Sequence, residues 1–311
     1  MAISPTPTYT NDGTREYVPA VWNEALLEEL DPQLAFASPL VCNRNYEGDI
    51  RGRGDTVVIN GIVSPDVGKY NDSTGMNIQQ LKTVRQDLLV SEADYVAYFV
   101  GEIEMVQAAG ALQFPAMKRA TMELAKAVDT FVGGVIASSA TKAGQVDVSG
   151  IPKPMDKGEA LLEGIFDYME QLDSADVSPE GRYVVVSPKA KRYLVRAEAV
   201  SNASAYGEAG VTHNGVIARL AGFTIVTTTH MPAGVDIVAG QRDFTTYASQ
   251  FLGFRGQPVE RFRRNQIDGL HVYGAKVVRY PELDTLKADG KNFDESKPSK
   301  GLIKSTVKWT A

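Results

Sequence analysis

The sequence predicts an α+β protein on three observations: strand-like runs at 56–63, 83–90 and 95–100, one long helical repeat after them, and a later region alternating helix, strand and helix. With 311 residues, one elaborate domain or two modest ones can each bury a core. The charged fraction of 23% is close to the ~25% of ordinary globular domains.

The first 18 residues are polar, and Pro5 and Pro7 favour an extended arm with little to bury. Pro19 suits a first helical position, and Val21, Trp22, Ala25, Leu26 and Leu30 line one face of a short helix that Asp31 and Pro32 stop. Thr56, Val57, Val58, Ile59, Ile62 and Val63 then read as a strand closed by Ser64-Pro65-Asp66. With the runs at 83–90 and 95–100 they suggest a long hairpin whose tip is wide and mostly polar. A two-stranded arm is marginal alone in water, so the rest of the molecule or a neighbouring copy must hold it.

A short helical run around Ile103, Met105 and Val106 precedes the longest helical pattern. Phe114, Met117, Thr121, Leu124, Val128, Phe131, Val132 and Val135 recur at spacings of three and four, a spine of about six turns. Lys118, Arg119, Glu123 and Lys126 lie opposite and read as a solvated charged face. Gly144, Gly150, Pro152 and Pro154 break the pattern. Asp156 with Glu159 then suggests a capping-box start for a helix with Leu161, Leu162, Ile165, Phe166, Met169 and Leu172 inward. The turn Ser178-Pro179-Glu180-Gly181 leads into Tyr183-Val184-Val185-Val186, apolar throughout and so covered on both faces. Ser187 and Pro188 open the next helix.

Residues 200–215 read as a long loop, and strands resume at 223–227, 235–239, near 259–262 and at 271–280. Pro281 ends the regular pattern. From Lys291 onward five lysines against Asp294 and Glu295 make a basic tail of +3.

A net charge of -6 disfavours a dedicated nucleic-acid binder. Cys42, the only cysteine, allows no intrachain disulfide and reads as a small buried apolar residue. The N-terminus has neither a basic nor an apolar signal region, and no run reaches the ~18 apolar residues of a membrane span. The chain is therefore read as soluble and made in a cytoplasm, with no membrane partner.

No nucleotide-binding glycine motif, nucleophile elbow, zinc motif or calcium loop is present. His213, His230 and His271 stand at no ligand spacing from one another. Asp173, Asp176 and Glu180 surround a turn, where Asp bonds nearby backbone. No catalytic residue, metal or cofactor is expected. The cluster Arg255, Arg261, Arg263 and Arg264 alternates as a strand would and reads as inter-subunit ion pairing.

The order of these parts resembles the Hong Kong 97-type fold of tailed-bacteriophage major capsid proteins. The segments that carry the resemblance are NGVIARLAGFTIVTTTHMPAG at 214–234, YGAKVVRYPEL at 273–283 and MELAKAVDTFV at 122–132. It implies an N-terminal arm at 1–45, an E-loop at 46–100, a peripheral domain at 101–149 and 236–290, an axial domain at 150–235 and a C-terminal tail at 291–311.

The implied function is structural: self-assembly through hexamers and pentamers into an icosahedral shell enclosing phage DNA, in a virion capsid assembled in the host cytoplasm. The implied partners are further copies of the chain, a separate scaffolding protein, a portal, a decoration protein and non-specifically held double-stranded DNA. Asp66, Lys69, Asp72, Lys82, Lys118, Arg119, Glu123, Arg255, Arg261, Arg263 and Arg264 are the expected assembly-interface residues. Some relatives cross-link an E-loop lysine to a neighbour's asparagine. Lys69 and Lys82 lie in the matching stretch, but no asparagine matches, so none is expected here. Two rivals are a cellular nanocompartment shell of the same fold and an α/β enzyme with a pocket near Val184.

Overall fold

A computed structural model describes residues 34–46, 54–62, 67–72, 75–76, 78, 80, 83–101, 113–197, 216–220, 222–259, 264–278 and 297–309. The expected helices at 19–30 and near 103–106 and the loop at 200–215 lie outside the described residues.

Two antiparallel strands, β1 (Thr56–Ile62) and β2 (Thr83–Leu89), form the expected hairpin. The run at 95–100 does not join it. As β3 (Glu92–Gly101), this run pairs instead with a strand far later in the chain, from Gly101 opposite Arg264 to Glu92 opposite Tyr273. The long repeat is α1 (Gln113–Ser139), 27 residues and so about 40 Å. Thr121, Leu124, Val128 and Val132 of the expected stripe are buried, Phe131 and Val135 are half-buried, and Ile136, not among the expected residues, is buried as well.

Two short strands the sequence reading missed, β4 (Ala140–Lys142) and β5 (Val146–Asp147), occupy the glycine-containing break. They precede α2 (Pro154–Ser174), which starts earlier than predicted. Pro154 sits in its first turn, the cap position falls on Lys153 without a side-chain bond, and Asp156 becomes a first-turn acid instead of the cap. Tyr168 faces inward and Phe166 outward, the reverse of what is expected for Phe166.

Strand β6 (Arg182–Val186) is buried along its whole length, as its unbroken apolar run predicts. Ser187 caps α3 (Pro188–Leu194) by accepting from the Ala190 N–H. β7 (Val216–Leu220), β8 (Phe223–Thr227) and β9 (Ile237–Gln241) follow.

The expected strand near 259–262 is instead the end of a 15-residue strand, β10 (Thr245–Val259), whose partner β11 (Arg264–Val277) begins well before 271. Gly253, Gly256 and Pro258 disguise it in the sequence. Pro258 is tolerated because β10 is an edge strand, and a bulge between Phe251 and Phe254 absorbs an irregularity in the register.

The segment read as a basic tail contributes β12 (Ser299–Ser305) and β13 (Val307–Lys308). β12 lies inside a six-stranded sheet of order β4-β12-β9-β6-β8-β7, with Leu302 and Ile303 fully buried. Its Lys304 donates to the Ala137 carbonyl near the C-terminal end of α1, a turn with no basic residue of its own. The lysines that made this segment read as a basic tail thus sit among core side chains.

Two apolar clusters result. The larger joins α1, α2, the six-stranded sheet and a strap at 34–42. In the smaller, Val57, Ile59, Leu88 and Val90 at the hairpin base meet Ala248, Val272 and Val278 beside the β10-β11-β3 sheet. The chains cross closely there: a Cβ on Gly274 would lie 2.5 Å from the Leu89 carbonyl oxygen.

Asp129, fully buried on α1, holds the strap. Its carboxylate accepts the N–H groups of Ala35, Phe36 and Ala37 at 2.8, 3.0 and 3.2 Å. Burial pushes its pKa up, against the three backbone donors. The same strap runs on to β10, where Asn43 N donates to Thr245 O at 2.7 Å. In the three-stranded sheet His271 is fully buried between Phe251, whose ring centroid is 4.4 Å away, and Tyr273, at 5.1 Å. Neither ring nitrogen has a hydrogen-bond partner among the described residues. Burial brings its pKa down to about 4, with Asp94 opposing the shift and Arg44 adding to it.

Two outcomes are expected. Asp129→Ala leaves three buried N–H groups without an acceptor and lowers the stability read from urea unfolding by about 3 kcal/mol. His271 takes a proton near 6.5 when unfolded but only near 4 when folded, so stability falls as pH drops through that window. His271→Phe keeps the stacking and removes roughly 3 kcal/mol of that pH dependence, measured as the difference between the two proteins' unfolding curves at pH 7.5 and 4.5.

Candidate assembly interface

Strand alternation decides what the hairpin base does. Along β1, Val57 and Ile59 point to the smaller core while Thr56, Val58 and Asn60 face solvent; along β2, Gln86 and Leu88 point in. The ladder continues past the strand ends, with Gly54 N donating to Val90 O and Val90 N to Asp55 O. The base is therefore rigidly seated.

The described part of the tip has no such support. Val67 is 100% exposed, Ile78 92%, Met76 80% and Tyr70 65%. The contacts described here are local: Gly75, at φ 69, donates its N–H to Asn71 O, and the Tyr70 hydroxyl donates to Asp72. Four large apolar side chains in this stretch are thus exposed to solvent.

The expected interface residues fall in three separate places. Lys69 and Asp72 are exposed at the tip. Lys118, Arg119 and Glu123 line the exposed side of α1, where Glu123 pairs with Lys126. Arg255 and Arg264 stand on β10 and β11, opposite Asp268 and Val259 in the register. Asp66, Lys82, Arg261 and Arg263 lie outside the described residues.

Sequence reasoning missed Tyr95 and Phe99, which are exposed on the outer face of β3, four residues apart and so on one side of the strand. Their alternation with Val96 and Tyr98 was the available signal. It was hidden because the run was assigned to the hairpin.

Asp173 at the turn before β6 is no acid–base candidate in the geometry: it accepts from Arg182 at 2.6 Å, and the buried guanidinium also holds the Val177 and Ser178 carbonyls. Among the described residues no three His, Cys, Asp or Glu side chains converge as metal ligands. Val184 is fully buried and lines neither of two open cavities, of about 170 and 430 Å³, among the described residues. No described helix is long and apolar enough to cross a membrane.

Comparison with known proteins bears on the whole architecture. No curated protein sequence matches the chain. Solved structures share the fold, at identities that speak to fold alone, and three of them illustrate it. One, from Mycobacterium phage Che8, is 23% identical, with a TM-score of 0.60 over 98% of this chain and 96% of its own. The capsid of cyanophage P-SCSP1u is 14% identical, with a TM-score of 0.59 over 84% and 85%. A virus-like particle from Pyrococcus furiosus is 13% identical, with a TM-score of 0.54 over 92% and 98%. The family described as phage capsid protein matches residues 85–283, from β2 to beyond the end of β11. With more than half its length inside that match and its fold shared with phage capsids, the chain belongs to the phage capsid protein family and is a structural protein of the Hong Kong 97 type.

Proposed function

We propose that copies of this chain close into rings of six and five, and that the rings build an icosahedral shell around packaged double-stranded DNA, with the hairpin tip as the clasp between copies. The observation that carries this is the contrast within one hairpin. Its base is locked by the smaller apolar cluster, and its tip presents Val67, Met76 and Ile78 to solvent. Burying one such side chain contributes about 1.5–3 kcal/mol, so a few of them approach the ~8 kcal/mol of a micromolar contact before association costs are subtracted. Weak contacts suffice in a shell, because each subunit makes several at once.

On this reading residues 1–45 are an arm, 46–100 the reaching loop, 101–149 with 236–290 a peripheral unit and 150–235 an axial unit. The 291–311 segment differs in part from a tail, since β12 lies in the six-stranded sheet. A scaffolding protein, a portal and a decoration protein are further partners, assembly takes place in the host cytoplasm, and the chain performs no catalysis. The family match favours a phage shell over a cellular compartment.

Deleting residues 66–78 is expected to leave a folded protein with unchanged circular dichroism that no longer forms particles in negative-stain micrographs. Particles of normal size and yield from that deletion would overturn the clasp.

A further inference from the structure

We infer that the outward face of α2 on one copy docks against the outward face of α3 on the next copy around the ring. This rests on the assembly reading above and names two surfaces for it. Glu159, Glu163, Asp167 and Glu170 recur at helical spacing along α2, on the side away from its buried stripe, with Phe166 among them at 38% exposure. On α3 and the residues just after it, Lys189, Arg192 and Arg196 form a second outward stripe, with Val195 beside them at 47% exposure. Each surface thus has an exposed apolar residue among charges of one sign, the arrangement of an interface with an apolar centre and a polar rim. The signs are opposite.

Within one chain these charges do not meet. α2 and α3 pack so closely that a Cβ on Gly158 would lie 2.4 Å from the Tyr193 carbonyl oxygen, yet none of the seven charged residues has an ion-pair partner among the described residues. The helix geometry accounts for this: Gly158 is on the flank of α2 that faces α3, while the acids point away. Like charges four apart weaken a helix, so the acidic stripe opposes the stability of the isolated subunit. Two different surfaces of opposite charge on one chain are what a head-to-tail ring uses, and the partner that carries both is a second copy.

The test uses the full chain in three forms: Glu163→Lys with Asp167→Lys, Arg192→Glu with Arg196→Glu, and all four changes together. Assembly is followed by light scattering and electron microscopy, and folding by circular dichroism. Each two-residue variant is expected to stay folded and to need on the order of 100-fold more protein to assemble, while the four-residue variant recovers. An equimolar mixture of the two variants can alternate around six positions but not around five, so it yields six-membered rings without closed shells. If all variants assemble like the unaltered chain, or the four-residue variant is no better than its parents, the docking inference falls and the shell reading stands. If the unaltered chain forms no particles, both fall. Normal particles that have lost bound DNA in the Arg192 and Arg196 variant would make the basic stripe a phosphate-binding surface and overturn the inference.

Discussion

The contact of Val57, Ile59, Leu88 and Val90 with Ala248, Val272 and Val278 determines where the hairpin leaves the body of the protein. Beyond this cluster, among the described residues of the tip, Val67, Tyr70, Met76 and Ile78 are exposed. The close crossing at Gly274 sets the direction of that departure, since no side chain separates β11 from the hairpin base. A lever that is stiff at its root and apolar at its end is suited to reaching a neighbour: its anchored base limits the ordering entropy to be overcome when the tip docks.

The body that carries the lever is closed by contacts between residues far apart in sequence. Asp129 ties α1 to the strap at 34–42, and Asp236 accepts from the Val307 N–H at 2.9 Å and from the Trp309 indole at 3.4 Å. Strand β12 completes the six-stranded sheet between β4 and β9. These links join early, middle and late parts of the chain in one core. A subunit built this way can pass load from one neighbour to the next with little internal yielding, because a close-packed interior has low compressibility.

Charge is arranged on a different principle from the apolar contacts. The net value of -6 hides a separation, with acids gathered along α2 and bases along α3. Overall charge sets solubility and long-range behaviour, whereas local stripes set which surfaces approach each other and in what register.

The sequence by itself determined several elements whose pattern is local: much of the stripe of α1, the doubly covered β6, the Ser187 cap, and the hairpin strands β1 and β2. Lys69 and Asp72 are exposed in the stretch between the hairpin strands, and so are Val67, Met76 and Ile78, apolar residues in a stretch that composition marks as polar. Only the tertiary structure decided that β3 belongs with β11, that 245–259 is one strand despite its glycines and proline, and that a lysine-rich end enters a sheet. The physical reason is common to all three. Strand pairing draws its stability from a partner distant in sequence, so the fate of a short or glycine-interrupted run depends on the surface it meets, which its own residues do not record.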